Sequence, residues 1–255
     1  MPVSLSIVIP AYDEAQRLPA TLQAIAAHFS RQQPGTVEVL IVNDGSSDGT
    51  ASLLTPELTG ASPIIWRMLH NPGNRGKGYS VRHGMIEAVG NRLLFTDADL
   101  SAPMSELARL EAALDAGADI AIGSRSQTEL LQARQSWFRE QAGRMFNRMV
   151  RWGLGLPFHD TQCGFKLFNR PAALSIFPQQ RIEGWGFDPE LLFLARRYGL
   201  RVDEVPVVWA HAAGAKIRMV RDSLRMFGDL VTIRRHAWRG RYALPPPRKQ
   251  QARAS

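Results

Sequence analysis

Two aspartates two positions apart, Asp97 and Asp99, follow directly on the apolar run Leu93–Thr96. In an extended chain residues i and i+2 point the same way, so both carboxylates would face one crevice. Close carboxylates repel unless a cation lies between them, and an all-oxygen pair suits Mg²⁺ or Mn²⁺. Mg²⁺ usually takes one or two carboxylates and completes its shell with substrate phosphates. The competing reading is a solvated turn whose aspartates cap the next helix. A second polar cluster, Asn43-Asp44-Gly45-Ser46-Ser47-Asp48-Gly49-Thr50, puts Asp44 at the end of another apolar run. There its carboxylate could accept from a nucleobase N–H or a ribose hydroxyl; taken alone, a plain turn with Asp48 or Thr50 capping the following helix is the favoured reading. A third, Gly73-Asn74-Arg75-Gly76-Lys77-Gly78, sets three glycines and two cations before a helical stretch, which suits an anionic ligand. It is neither a P-loop, since Gly78 stands where Ser or Thr is needed, nor the dinucleotide fingerprint, which follows the first strand. A loop with solvated charges is its alternative. His159 has no second histidine at ligand spacing, so zinc is not expected. Cys163 lacks a local base and reads as a packed small side chain. Trp185 can stack on a sugar or fill core, with core favoured.

Such residues act together only if a scaffold gathers their loops. Leu5–Ile9, Val37–Val42, Ile64–Leu69, Arg92–Thr96 and Ile120–Gly123 are short, largely apolar strand candidates. Helical stretches separate them: Glu14–Arg31, with Leu18, Leu22, Ile25, Ala26 and Phe29 at helical spacing; Tyr79–Val89; and Met104–Ala116, with Ser101 as N-cap and Pro103 in its first turn. The alternation predicts an α/β fold with a mostly parallel sheet flanked by helices. Ligands of such sheets bind at the carboxyl ends of the strands. The loops at Tyr12–Glu14, Asn43–Ser47, Asn71–Gly78 and Asp97–Ser101 should therefore share one edge. Beyond residue 123 the reading is a helix over Gln135–Gly153, a strand over Phe165–Asn169, a helix over Asp188–Tyr198 and a strand over Val202–Trp209 broken at Pro206.

The 255 residues suffice for one large domain, read as 1–216, followed by a basic amphipathic helix over 217–241 and a disordered tail over 242–255. No run of about 18 apolar residues predicts a membrane span, and the first residues carry no signal-peptide pattern. One cysteine excludes an intrachain disulfide and fits a reducing cytoplasm. The net charge of +8 is uneven: residues 216–255 hold 11 basic and 2 acidic side chains, the remainder 20 and 21. A basic tail on a neutral body points to an anionic partner: a membrane, a nucleic acid or a phosphorylated substrate. Val220, Leu224, Phe227 and Val231 form one helical stripe among arginines, suited to an anionic membrane interface, to packing on the domain, or to both in part. With no RNP, zinc-finger or helix-turn-helix signature, nucleic acid is not the expected partner.

Five segments in order, Val8-Ile9-Pro10-Ala11-Tyr12-Asp13-Glu14, Val42–Thr50, Asn74-Arg75-Gly76-Lys77-Gly78, Asp97-Ala98-Asp99 and Gly123-Ser124-Arg125, together resemble family 2 glycosyltransferases of the GT-A fold. Asp160-Thr161-Gln162-Cys163-Gly164-Phe165-Lys166-Leu167-Phe168, Gly184-Trp185-Gly186-Phe187-Asp188 and Trp209…Gly214-Ala215-Lys216 look like the dolichyl-phosphate β-glucosyltransferase branch and its bacterial relatives. The resemblance implies that Pro10, Ala11, Tyr12, Glu14, Asp44 and Gly45 hold the nucleotide. It implies that Asp97, Ala98 and Asp99 serve metal and diphosphate, with Asp99 the direct ligand of Mg²⁺ or Mn²⁺. Arg125, Lys77 and Lys216 would meet phosphates, and Gln162 and Asp160 would line the sugar and acceptor side. Asp160 and Asp188 are candidate bases or orienting groups, or caps. Some polyprenyl-phosphate mannosyltransferases carry Gln as a further metal ligand where this chain has Ser101. The implied activity is inverting transfer of a hexose, glucose from UDP-glucose, onto a polyprenyl phosphate by a peripheral enzyme at the cytoplasmic membrane face. Transfer to a soluble sugar or protein hydroxyl is the alternative, and basic nucleic-acid binding a distant one.

Overall fold

A computed structural model describes residues 2–55, 63–125, 147–209 and 219–243. Its centre is a seven-stranded sheet built from β1 (Leu5–Ala11), β2 (Val37–Asn43), β3 (Ile65–His70), β4 (Arg92–Thr96), β5 (Ile120–Ser124), β6 (Phe165–Asn169) and β7 (Val202–Pro206), in the order β3-β2-β1-β4-β6-β5-β7. β6 runs antiparallel to both β4 and β5, and every other neighbouring pair is parallel. β1, β2 and β5 are interior on both faces, which is why their sequences are apolar runs rather than alternations.

Helices cover both faces. One apolar layer packs α1 (Leu18–His28) and α3 (Leu107–Asp115) beneath Leu5, Ile7, Ile9, Val39 and Ile41. The other holds α2 (Lys77–Glu87), α4 (147–154), α5 (Arg170–Ile176), α6 (Phe187–Arg197) and α7 (Met219–Trp238) around Val8, Phe95, Phe168 and Phe187. The expected helix at Met104 starts differently. Met104–Glu106 is a 3-10 turn led by Pro103, with no side-chain cap. Ser101 turns back instead, its N–H and Oγ–H donating to Asp99 Oδ1 at 3.1 and 2.8 Å. The expected helix at 135–153 is described from residue 147 only; its earlier part lies outside the described residues.

α7 lies along the domain through Leu230 and Ile233, both buried. Its chain continues to Tyr242, buried, whose O–H donates to Glu190 at 2.7 Å. Glu190 also accepts from the backbone N–H groups of Arg181 and Ile182. The neighbouring side of α7 exposes Phe227 (50%) and Val231 (58%), two members of the expected stripe; the side chains of Val220 and Leu224 lie outside the described residues. Arg234 Nε donates to Gly153 O at 2.7 Å and ties α7 to α4.

Candidate active site

The strand ends bring their loops together through polar bonds. After β1, the chain turns at Asp13, in the left-handed region at φ 50°, and its carboxylate accepts from Ser47 N–H at 2.8 Å. Glu14 N–H donates to Thr50 Oγ1 at 2.8 Å, while the Glu14 carboxylate is engaged by Arg17 at 2.7 and 2.5 Å. Asp48 caps the short helical turn at Gly49–Ser52 by accepting from Thr50 N–H, as read from sequence. Asp44 is buried and serves the third loop: it accepts from Asn71 Nδ2 (2.8 Å), Arg75 N–H (2.9 Å) and Gly76 N–H (2.8 Å). Gly76, at φ 105°, leads that loop into α2; a Cβ there would sit 2.6 Å from Glu183 O, so only glycine fits. Pro10 and buried Ala11 end β1; Tyr12 and Gly45 are exposed beside them.

The centre of the cleft holds alternating charges. Asp97–Leu100 is a turn rather than extended chain: Leu100 N–H donates to Asp97 O at 3.1 Å, and Leu100 has φ 48°. Ala98, buried in this turn, fixes it to α1 by accepting from Thr21 Oγ1 at 2.7 Å. Asp97 packs on Gly164, where any Cβ would fall 2.2 Å from Oδ2, and forms an ion pair with Lys77 at 2.5 Å. Burial opposes charge on Lys77, but Asp97, Asp188 and Asp99 outweigh it and hold the ammonium above its ordinary value. The Lys77 ammonium also lies 5.0 Å from the Trp185 ring centre. Trp185 is 39% exposed, so it lines the cleft and is not core as expected from sequence. Asp188, in the first turn of α6, pairs with Lys166 at 2.5 Å; both are buried. Lys166 Nζ donates further to Cys163 O and lies over the Phe95 ring. Burial raises Asp188, with Lys166 and Lys77 pulling it back.

A second charged pair closes the sheet beyond β5. Arg125 donates from its backbone and its guanidinium to Asp160, at 3.0, 2.7 and 2.8 Å, and stacks over Trp209. Burial opposes the Asp160 charge, yet Arg125 lowers the carboxyl to about 2. Asp160 is therefore ionised at neutral pH, a weak base committed to Arg125. Glu204 holds the neighbouring segment by accepting from Ser124, His159 and Asp160. Burial pushes the Cys163 thiol up to about 12, in keeping with a packed side chain.

Asp97, Asp99, Asp188 and Lys77 thus share one locus, Arg125 and Asp160 adjoin it, and Gln162 meets Met226 of α7 at 3.9 Å. Lys216 lies outside the described residues. Lys166 and Arg17 were missed by sequence reasoning. A lone lysine within the apolar strand Phe165–Asn169 was the available signal, since a charge buried on both faces needs a partner. Among the described residues no three His, Cys, Asp or Glu side chains form a metal cage. The oxygen-only pair Asp97 and Asp99 fits a hard cation that shares its shell with substrate phosphates.

The family model for glycosyl transferase family 2 matches residues 6–177. The chain belongs to this family. Relatives of this family 2 glycosyltransferase include a dolichyl-phosphate beta-glucosyltransferase of Drosophila melanogaster, 39% identical over 244 residues, covering 91% of this chain and 74% of the relative. The enzyme of that name from Saccharomyces cerevisiae is 35% identical over 249 residues (91% and 74%), and that from Homo sapiens 32% over 256 (96% and 79%). Glucosyl-3-phosphoglycerate synthase from Mycobacterium tuberculosis, in complex with UDP, shares the fold at TM-score 0.66 and 19% identity, covering 96% of this chain and 82% of that one. The same synthase with Mn²⁺, UDP-glucose and phosphoglyceric acid gives 0.67 at 19%, covering 96% and 81%. The family 2 glycosyltransferase therefore has the GT-A fold expected from its motifs.

Proposed function

We propose that this glycosyltransferase transfers glucose from UDP-glucose to a polyprenyl phosphate, with inversion, as a peripheral enzyme at the cytoplasmic membrane face. The observation that carries the reading is the Lys77 ammonium held among Asp97, Asp188 and Asp99 at the strand ends. The names of the relatives support the acceptor and the sugar. The UDP and Mn²⁺ of the structural neighbour fit the donor and the cation.

In this reading the bond from the anomeric carbon to the UDP oxygen breaks, and its electron pair leaves with the diphosphate. An acceptor phosphate oxygen bonds to the opposite face, giving a β-linked product from an α-linked donor. Asp97 and Asp99 would hold Mg²⁺ or Mn²⁺, which when bound would neutralise charge on the diphosphate. Lys77, at the first turn of α2, exchanges its Asp97 partner for phosphate oxygens, and the helix N-terminus adds favourable polarity. Pro10, Ala11, Tyr12, Glu14, Asp44, Gly45 and Ala98 form the nucleotide-sugar side; Arg125 serves phosphate and Gln162 the sugar, and Lys216, outside the described residues, is assigned to phosphate by the resemblance alone. A phosphate monoester, with a second pKa of about 6, is already mostly ionised at neutral pH, so no strong base is required. That agrees with an Asp160 bound to Arg125 and with an Asp188 whose role is to orient through Lys166.

The test is incubation with radiolabelled UDP-glucose, Mn²⁺ or Mg²⁺ and polyprenyl phosphate in vesicles, followed by partition into organic solvent. Label in the organic phase that depends on the lipid phosphate supports the reading. Label found only on water-soluble acceptors overturns it.

A further inference from the structure

A groove of about 370 Å³ separates α7 from the turn before α6 and is lined by Gly184, Trp185, Arg225, Met226, Gly228, Asp229 and Thr232. Its inner end reaches the charged centre. Trp185 carries the Lys77 ammonium over its ring, and the Met226 sulfur meets the Gln162 amide. Asp229 accepts from the N–H of Gly186, two residues before Asp188, with Arg225 within its field. On the outside, the same helix exposes Phe227 and Val231.

Gly228 is the unexplained residue. It lies inside α7, where glycine is unfavourable, and a Cβ there would meet nothing within 4 Å. Packing therefore does not require it. A side chain at 228 would project into open space that lines the groove. Of the polar lining, the Asp229 carboxylate is engaged by the Gly186 N–H and Thr232 is neutral, which leaves an aromatic ring and a thioether beside one arginine, a match for an amphiphile with an anionic head and an unsaturated hydrocarbon chain.

We propose that this groove admits the lipid acceptor: Arg225 meets its phosphate on the way to Lys77, and its first isoprene units lie between Trp185 and Met226 over the gap left by Gly228. The chain then leaves across Phe227 and Val231. The assignment rests on the polyprenyl-phosphate reading above and adds the route by which that acceptor reaches the site.

The series Gly228→Ala, Gly228→Leu and Gly228→Phe tests it, because each substitution favours the helix and its Cβ meets nothing within 4 Å. KM for polyprenyl phosphate should rise with side-chain size, at least tenfold for Gly228→Phe, while UDP binding measured by calorimetry and the melting temperature hold. Arg225→Ala should raise KM for long-chain and for short, water-soluble isoprenyl phosphates alike. If Gly228→Phe leaves KM for both lipids within twofold of wild type, the groove is not the route, although the transferase reading stands. If wild-type protein glucosylates only soluble phosphates, both fall.

Discussion

Lys166 shows how much of the centre hangs on one buried pair. Its ammonium has Asp188 and a backbone carbonyl as partners and no access to water. Lys166→Met would leave the Asp188 carboxylate buried with Lys77 as the remaining cation in its field, and breaking such a pair costs about 3–5 kcal/mol. The expected result is a strongly lowered urea midpoint, partly restored by Lys166→Met with Asp188→Leu; equal stability of the single variant and wild type would contradict it. Asp99→Ala acts on chemistry instead. With the diphosphate charge poorly shielded, transfer should fall by roughly two to three orders of magnitude while the melting temperature changes little. Near-normal turnover with the metal chelated would defeat the mechanism. Asp160 predicts a pH dependence. Its folded pKa of about 2 lies below the model-peptide value of 3.8, so its contribution of about 2 kcal/mol is complete above pH ~4 and lost as pH falls through 2. Asp160→Asn should therefore reduce stability at neutral pH and flatten the acid limb of a stability–pH curve. The place of Asp97 and Asp99 at the end of β4 was legible because carboxylates after an apolar run stand out; the turn they form was not. The Lys166–Asp188 pair was not, since it joins positions 22 residues apart through tertiary packing.

At the scale of elements, local pattern was enough wherever burial on both faces leaves an apolar run, as in β1, β2 and β5. It could not place β6 between β4 and β5, since strand order depends on which edges are left to pair. The start of α3 was misread because Ser101, a good cap by composition, is taken by Asp99 in the turn that shapes the site. Of the stripe expected on α7, Phe227 and Val231 are exposed, and the side that packs on the domain, Leu230 and Ile233, runs beside them. What holds α7 down is also distant: Tyr242 to Glu190, Arg181 to Arg241 O, and Tyr198 to Ala243 O. Tyr242→Phe removes one hydrogen bond to a carboxylate, worth about 1.5–3 kcal/mol. Hydrogen exchange should show the loss first in α7, with the strands protected as before; uniform loss across the sheet would mean that α7 is not a separately opening unit.

For the whole molecule, the division between a nearly neutral body and a basic C-terminal stretch has a structural counterpart in what the surface exposes. Trp152 is 91% exposed and Trp238 86%, on α4 and α7, which Arg234 ties together; Phe227 and Val231 lie exposed on the same α7. No helix among the described residues is long and apolar enough to cross a membrane. Tryptophan and arginine at a helix surface instead suit the headgroup layer of an anionic bilayer, where each basic residue contributes about 1 kcal/mol. Deleting residues 217–255 is a poor test of this, because Leu230, Ile233 and Tyr242 belong to the core and their loss would unfold the domain. Trp152→Ser with Trp238→Ser removes exposed rings without opening a cavity. Wild-type protein should sediment with anionic vesicles, less so at high salt as screening shortens the reach of the tail. The double variant should bind at least tenfold more weakly at low salt while keeping its melting temperature and its UDP affinity. Unchanged vesicle binding by that variant, or binding indifferent to salt, would place the membrane contact elsewhere on the surface or remove it.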